Sequence, residues 1–135
     1  GACRGNPGPG GSGAVIERPE TNVKTYLREY VGKRTTNNLA EYHAVIMGLK
    51  YLLENKNPDD KVMIITDSNL IVKQVKGEWK VKNDALKKKH KEVLDLLSME
   101  NFPAGWGIQW IKAHAGHPGN EKADSLANQA IDENK

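Results

Sequence analysis

The chain has 135 residues, 38% of them hydrophobic and 27% charged, a size and balance that fit a single domain over 1–135 and exclude wholesale disorder. Twenty Lys and Arg against seventeen Asp and Glu leave a formal charge of +3, with a mean hydropathy of −0.65. The longest apolar run, Val62-Met63-Ile64-Ile65, falls far short of the roughly 20 residues a bilayer-spanning helix needs, and Cys3 has no second cysteine to pair with. The expectation is a soluble, cytoplasmic protein with no membrane partner, most simply a monomer.

In chain order, Gly5-Asn6-Pro7-Gly8-Pro9-Gly10-Gly11 is dense in turn formers and precedes a strand at Gly13-Ala14-Val15-Ile16, so it reads as a turn into a hairpin. No Gly-Lys-Ser/Thr follows, which removes a phosphate-cradling P-loop. Lys24 to Val31 alternates partially and is β-prone, a further strand of the same antiparallel meander. From Leu39 to Leu53, apolar residues recur at three- and four-residue steps, the pattern of a helix with one buried face, with Thr35 to Asn38 as capping candidates and Pro58 beyond its end.

Lys61 to Thr66 has the length and β-branching of a buried strand, closed by Asp67. Leu70, Ile71 and Val75 mark a short helix, Ala85 to Leu97 a longer one, and Gly107 to Ala113 a strand. The loop His114 to Asn120 carries two glycines and a proline, and Asn120 is a good N-cap for a final helix through Ile131. Strands first, then helices alternating with strands, predict an α/β fold with a mixed sheet covered by helices.

Charge is uneven. Between Lys73 and Lys91 eight lysines stand against only Glu78 and Asp84, so the rest of the chain is net negative. That polarity points to a polyanionic partner, or to the solvated face of a helix. Trp79, followed by Lys80, is placed as in a groove that tracks a nucleic-acid backbone, although tryptophan serves equally as a core anchor.

Three acids stand out. Asp67 follows an apolar strand at its carboxyl end, where α/β folds gather ligand-binding groups, and it also suits a helix N-cap. Glu41 borders the buried face of the first long helix, and Asp124 sits beside Ala123 on the last one. Carboxylates converging without cysteines favour Mg²⁺ or Mn²⁺ over zinc. Two such ions can activate a water and stabilise the leaving oxygen in phosphodiester hydrolysis. His114 suits a proton shuttle, with an unperturbed pKa near 6.5, whereas His117, before Pro118, reads as a loop-packing residue.

At these residues the sequence resembles the type 1 ribonuclease H family, from Gly1 to about Ala130. The resemblance is carried by Gly5 to Gly11, by Thr35 to Asn38 with Glu41, by Thr66-Asp67-Ser68, and by His114 to Glu121 with Asp124. It implies a ribonuclease H-like fold, a five-stranded mixed sheet flanked by helices. It also implies metal-dependent cleavage of the RNA strand of RNA/DNA hybrids, leaving 3′-hydroxyl and 5′-phosphate ends. Glu41, Asp67 and Asp124 match metal-binding carboxylates holding two Mg²⁺ or Mn²⁺ ions, and His114 matches a mobile histidine assisting proton transfer or product release. Asn6, Thr36, Asn37 and Asn38 match positions that contact the hybrid, Asn69 stands where glutamine is frequent, and Trp79 and Lys80 fall in the basic stretch expected to grip the DNA strand.

One departure qualifies this. The family places a further metal-binding aspartate on a central first strand, directly before the glycine matching Gly1, and the sequence opens after that point. The expectation is therefore a native protein that continues upstream. The rival expectation is a non-catalytic hybrid-binding domain.

Overall fold

The computed structural model describes residues 1–135 apart from Lys56, Pro58, His114, Ala115 and Lys135. The readings of Pro58 as a helix terminator and of His114 as a proton shuttle thus lie outside the described residues. The elements are β1 (Ala2–Cys3), β2 (Gly8–Arg18), β3 (Val23–Thr35), α1 (Asn37–Asn55), β4 (Val62–Thr66), α2 (Asn69–Val75), α3 (Asp84–Leu96), β5 (Trp106–Trp110) and α4 (Pro118–Glu133).

β1, β2 and β3 form an antiparallel sheet in that order, with Ala2 opposite Gly11 and Val15 opposite Tyr26. β4 and β5 form a separate parallel pair, Val62 opposite Trp106 and Thr66 opposite Trp110. The five expected strands are present, but among the described residues no ladder joins the two sheets. Arg18, at the end of β2, bridges to Asp60 just before β4 at 2.9 Å, whereas Asp67 just after β4 shares a cavity wall with Gly1 and Gly13. β2 and β4 therefore run in opposite directions, with a gap between them.

The glycine-rich segment expected as a turn is strand from Gly8 onward. A Cβ at Gly13 would lie 2.2 Å from the Ala123 carbonyl oxygen, and one at Gly11 would lie 2.3 Å from that of Ala127. These glycines let α4 lie directly on β2, which composition alone presents as turn chemistry. The opposite face of β2 meets α1, where Ser12 Oγ donates to the Ala40 carbonyl at 2.6 Å.

Capping fixes the helix starts. Thr36 Oγ1 accepts from Leu39 N–H at 3.3 Å ahead of α1, Ser68 caps α2 through Ile71 N–H, and Asn83 caps α3 through Leu86 N–H. α4 starts earlier than Asn120 predicts: His117 is its N-cap, its Nδ1 accepting from Asn120 N–H at 3.1 Å, and Pro118 fills the first turn, where a missing N–H costs nothing. β5 ends at Trp110, short of the expected Ala113, although Ile111 N–H still donates to the Thr66 carbonyl. The main core joins Tyr42, Ile46 and Leu49 of α1 to Ile71, Val93, Phe102 and Ile108. α4 supplies a second apolar layer against β2 through Leu126, Ala127, Ala130 and Ile131.

Candidate active site

The turn after β4 is pinned from three sides. Thr66 Oγ1 accepts from Ser68 N–H, Ser68 caps α2, and the indole Nε1–H of Trp110 donates to the Asp67 carbonyl at 3.1 Å. The parallel register that sets Thr66 beside Trp110 puts that indole within reach. With its backbone held, Asp67 directs Oδ2 to Asn120, whose Nδ2 donates at 3.2 Å. The alternative reading of Asp67 as a helix cap is excluded, because Ser68 takes that place.

Glu41 follows the fully buried Ala40, and its side chain is only 15% exposed. A Cβ on Gly1 would overlap the Ala40 and Glu41 backbone, so the glycine permits β1 to approach α1 and brings the Gly1 ammonium onto the Glu41 carboxylate. Burial raises the Glu41 pKa above the usual carboxylate range; the Gly1 ammonium opposes that shift, and the charges of Asp67 and Asp124 add to it. Glu41 thus feels the charges of both Asp67 and Asp124.

All three line one cavity of about 400 Å³, as do Thr66, His117 and Asn120. The donor chemistry suits a hard divalent cation: carboxylate oxygens, one carboxyl raised chiefly by burial and further by its anionic neighbours, and no thiolate. Among the described residues, however, no group of three or more His, Cys, Asp or Glu side chains closes tightly enough to hold an ion together. The carboxylates share an end of the cavity without forming a cage.

Of the other residues singled out from sequence, Asn6, Thr36, Asn37 and Asn38 meet at one corner. Asn6 Oδ1 accepts from Asn37 N–H at 3.2 Å, tying the β1–β2 connection to the first turn of α1, one turn before Glu41. Asn6, Asn37 and Asn38 are exposed, as is Asn69 at the start of α2. Trp79 is 47% exposed and so is no core anchor, and Lys80 beside it is exposed too; neither lines the carboxylate cavity. Sequence reasoning missed Trp110 and Asn120 as partners of Asp67. The available signal was that Asn120 precedes Asp124 by four residues and so shares its helix face.

The family described as RNase H matches residues 1–132. A ribonuclease H of Alcanivorax borkumensis is 39% identical over 145 aligned positions, covering 100% of this chain and 89% of that protein. Among solved structures, LC11-RNase H1 in complex with RNA/DNA hybrid superimposes with a TM-score of 0.85 at 35% identity, covering 98% of this chain and 93% of its own. RNase H1 from the halophilic archaeon Halobacterium salinarum does so at 0.84 and 31%, covering 98% and 92%.

Proposed function

Because this chain belongs to the type 1 ribonuclease H family, we propose that it hydrolyses the RNA strand of RNA/DNA hybrids in a divalent-metal-dependent reaction, leaving 3′-hydroxyl and 5′-phosphate ends. The observation that carries the reading is that Glu41, Asp67 and Asp124 line one cavity, with Glu41 feeling the charge of the other two and lying one helical turn after Asn37, which bonds to Asn6. The solved complex of a similar ribonuclease H1 with RNA/DNA hybrid supports the choice of substrate.

Glu41, Asp67 and Asp124 would hold two Mg²⁺ or Mn²⁺ ions, which supply an activated water and charge neutralisation at the leaving oxygen. Asn120 and Trp110 orient Asp67. The amides at the α1 corner offer donors and acceptors to minor-groove edges that barely distinguish sequence, while the 2′-hydroxyl separates RNA from DNA. Little sequence specificity follows. His114 would serve proton transfer or product release, as the family resemblance implies.

A second reading, a non-catalytic hybrid-binding domain, is favoured by one finding: among the described residues no three potential ligands are close enough to hold one ion. Cleavage of a labelled hybrid with Mg²⁺, with Mn²⁺ and with chelator separates the two. Metal-dependent cutting that Asp67→Asn abolishes supports the enzyme; bound but uncut hybrid under every condition supports the binder.

A further inference from the structure

α4 begins with an uncommon cap. Ser, Thr, Asp and Asn are the usual N-cap residues, because a short side chain folds back to accept a first-turn N–H. Here the cap is His117, extended at φ −77° and ψ 111°. Its imidazole Nδ1 accepts from Asn120 N–H at 3.1 Å, and its carbonyl accepts from Glu121 N–H at 3.0 Å. Only a ring nitrogen without a proton can accept, so the ring carries its proton on Nε2. Two neighbours make the arrangement fit. Pro118 has no N–H to satisfy, and a Cβ at Gly119 would lie 3.2 Å from His117 Cε1 and 3.5 Å from Nδ1, so the glycine leaves room for the ring over the first turn.

The residue held in this way is the one that reaches a carboxylate. Asn120 sends its backbone N–H back to His117 and its side-chain Nδ2–H forward to Asp67 Oδ2 at 3.2 Å. His117, Asn120 and Asp67 line the same cavity. The rest of α4 is seated independently of the cap: Ala123, Leu126 and Ala127 lie against Gly13 of β2, and Ala127, Ala130 and Ile131 against Gly11. Loss of the cap therefore frays the first turn, where Asn120 sits, and leaves Asp124 with the part of the helix that β2 holds.

We propose, on the reading of Asp67 as a metal ligand, that His117 is a positioning residue for it: the imidazole fixes the backbone of Asn120, and the Asn120 amide in turn fixes the carboxylate. His117 itself touches neither the ion nor the substrate. Its contribution is to hold the first turn of α4 so that one oxygen of Asp67 stays committed to protein and the other stays aimed into the cavity.

Three variants test this. His117→Ala removes the cap, His117→Asn keeps an acceptor suited to the same N–H, and His117→Ala is repeated in the Asn120→Ala background. Hybrid cleavage is followed with Mg²⁺ at a temperature where all variants are folded, and Mg²⁺ binding is followed by calorimetry without nucleic acid. His117→Ala is expected to lower kcat about fivefold and to weaken Mg²⁺ binding by about the same factor, with hybrid KM nearly unchanged. His117→Asn should recover most of both losses. In the Asn120→Ala background His117→Ala should cost less than about twofold more, because the route it acts through is already gone, whereas a merely structural cap would cost the same in either background. Unchanged kcat and Mg²⁺ binding in His117→Ala, full additivity with Asn120→Ala, or no recovery by His117→Asn would each overturn the proposal. A parent that binds Mg²⁺ but leaves hybrid uncut overturns the hydrolytic reading alone, and the calorimetric comparison then decides the role of His117 by itself. A parent that neither binds Mg²⁺ nor cuts overturns both.

Discussion

Asn120 Nδ2 donates a hydrogen bond to Asp67 Oδ2 at 3.2 Å, joining the first turn of α4 to the residue that follows β4. The two residues are 53 positions apart in sequence and belong to different layers of the fold. That bond fixes which oxygen of Asp67 is committed to protein and which remains for other partners.

Asn120→Ala removes it without adding charge. A hydrogen bond to a carboxylate is worth about 1.5–3 kcal/mol at most, less in this partly exposed setting, so a fall in kcat of about tenfold is expected, with hybrid KM nearly unchanged. Asn120→Asp should be worse, because it places a second anion against Asp67. Steady-state cleavage of a hybrid by both variants checks the order; a change in KM alone would show that Asn120 contacts substrate instead.

Glu41 yields a pH-dependent prediction. Its carboxyl is held above its ordinary value of 4.5, chiefly by burial, against the pull of the Gly1 ammonium and with the help of Asp67 and Asp124. An acid raised on folding costs stability once the pH passes its unfolded value, since the unfolded chain then releases its proton first; the cost is absent below that value and complete above the folded one. In chelator, Glu41→Gln should therefore melt higher than the parent at neutral pH and equally with it near about pH 3.5. Added Mg²⁺ should raise the Tm of the parent more than that of the variant, because ion binding needs the ionised carboxylate. A Glu41→Gln melting curve that follows the parent's at every pH would refute the assigned burial penalty.

How far these features could be read from sequence varies with the range of the interaction. The helical spacing from Leu39 to Leu53 and the run before Asp67 depend on local periodicity, and α1 and β4 match them closely. The strand character of Gly8 to Gly11 was hidden because it depends on α4, more than a hundred residues away, seating Ala127 and Ala130 on surface that only glycine leaves open. The division into two sheets has no local signature either, since pairing across the gap is decided by what lies between β2 and β4. Among the candidate site residues, Asp67 stood out as the acid closing an apolar strand, and Glu41 and Asp124 as acids beside apolar helix positions. Their supports Trp110 and Asn120 were not, because their roles exist only in the β4–β5 register and in the seating of α4.

A buried network sets a stability prediction. Tyr42 Oη donates to Gln74 Oε1 at 2.5 Å, both residues buried, and the Gln74 carbonyl lies 2.9 Å from His90 Nε2, so α1, α2 and α3 are linked by one chain of polar contacts. Burial also pushes the Tyr42 hydroxyl to about 12, so it stays a donor across the physiological range. Tyr42→Phe leaves the Gln74 acceptor unpaired and should cost about 1–3 kcal/mol in chemical denaturation. Adding Gln74→Leu to it should recover part of that loss, because both partners are then apolar.

Trp79 and Lys80 separate two kinds of grip on a polyanion. Trp79, half exposed beyond the carboxylate cavity, has the face of a stacking or packing residue, and Lys80 supplies a single charge. If the lysine-rich stretch holds the hybrid's phosphates, Lys80→Ala should reduce the slope of log affinity against log salt by about one unit, leaving kcat at saturation unchanged. Trp79→Ala should weaken binding at every salt concentration by about fivefold or more without altering that slope, because a packing contact releases no counterions. Competing ion pairs argue against equal weight for all eight lysines: Lys73 lies 3.5 Å from Glu78, Lys87 3.8 Å from Asp84 and Lys91 2.8 Å from Asp95. Replacing Lys91, whose charge is already matched one helical turn away, should therefore change the salt slope less than replacing Lys80, and the opposite order would place the polyanion along α3 instead of beside Trp79.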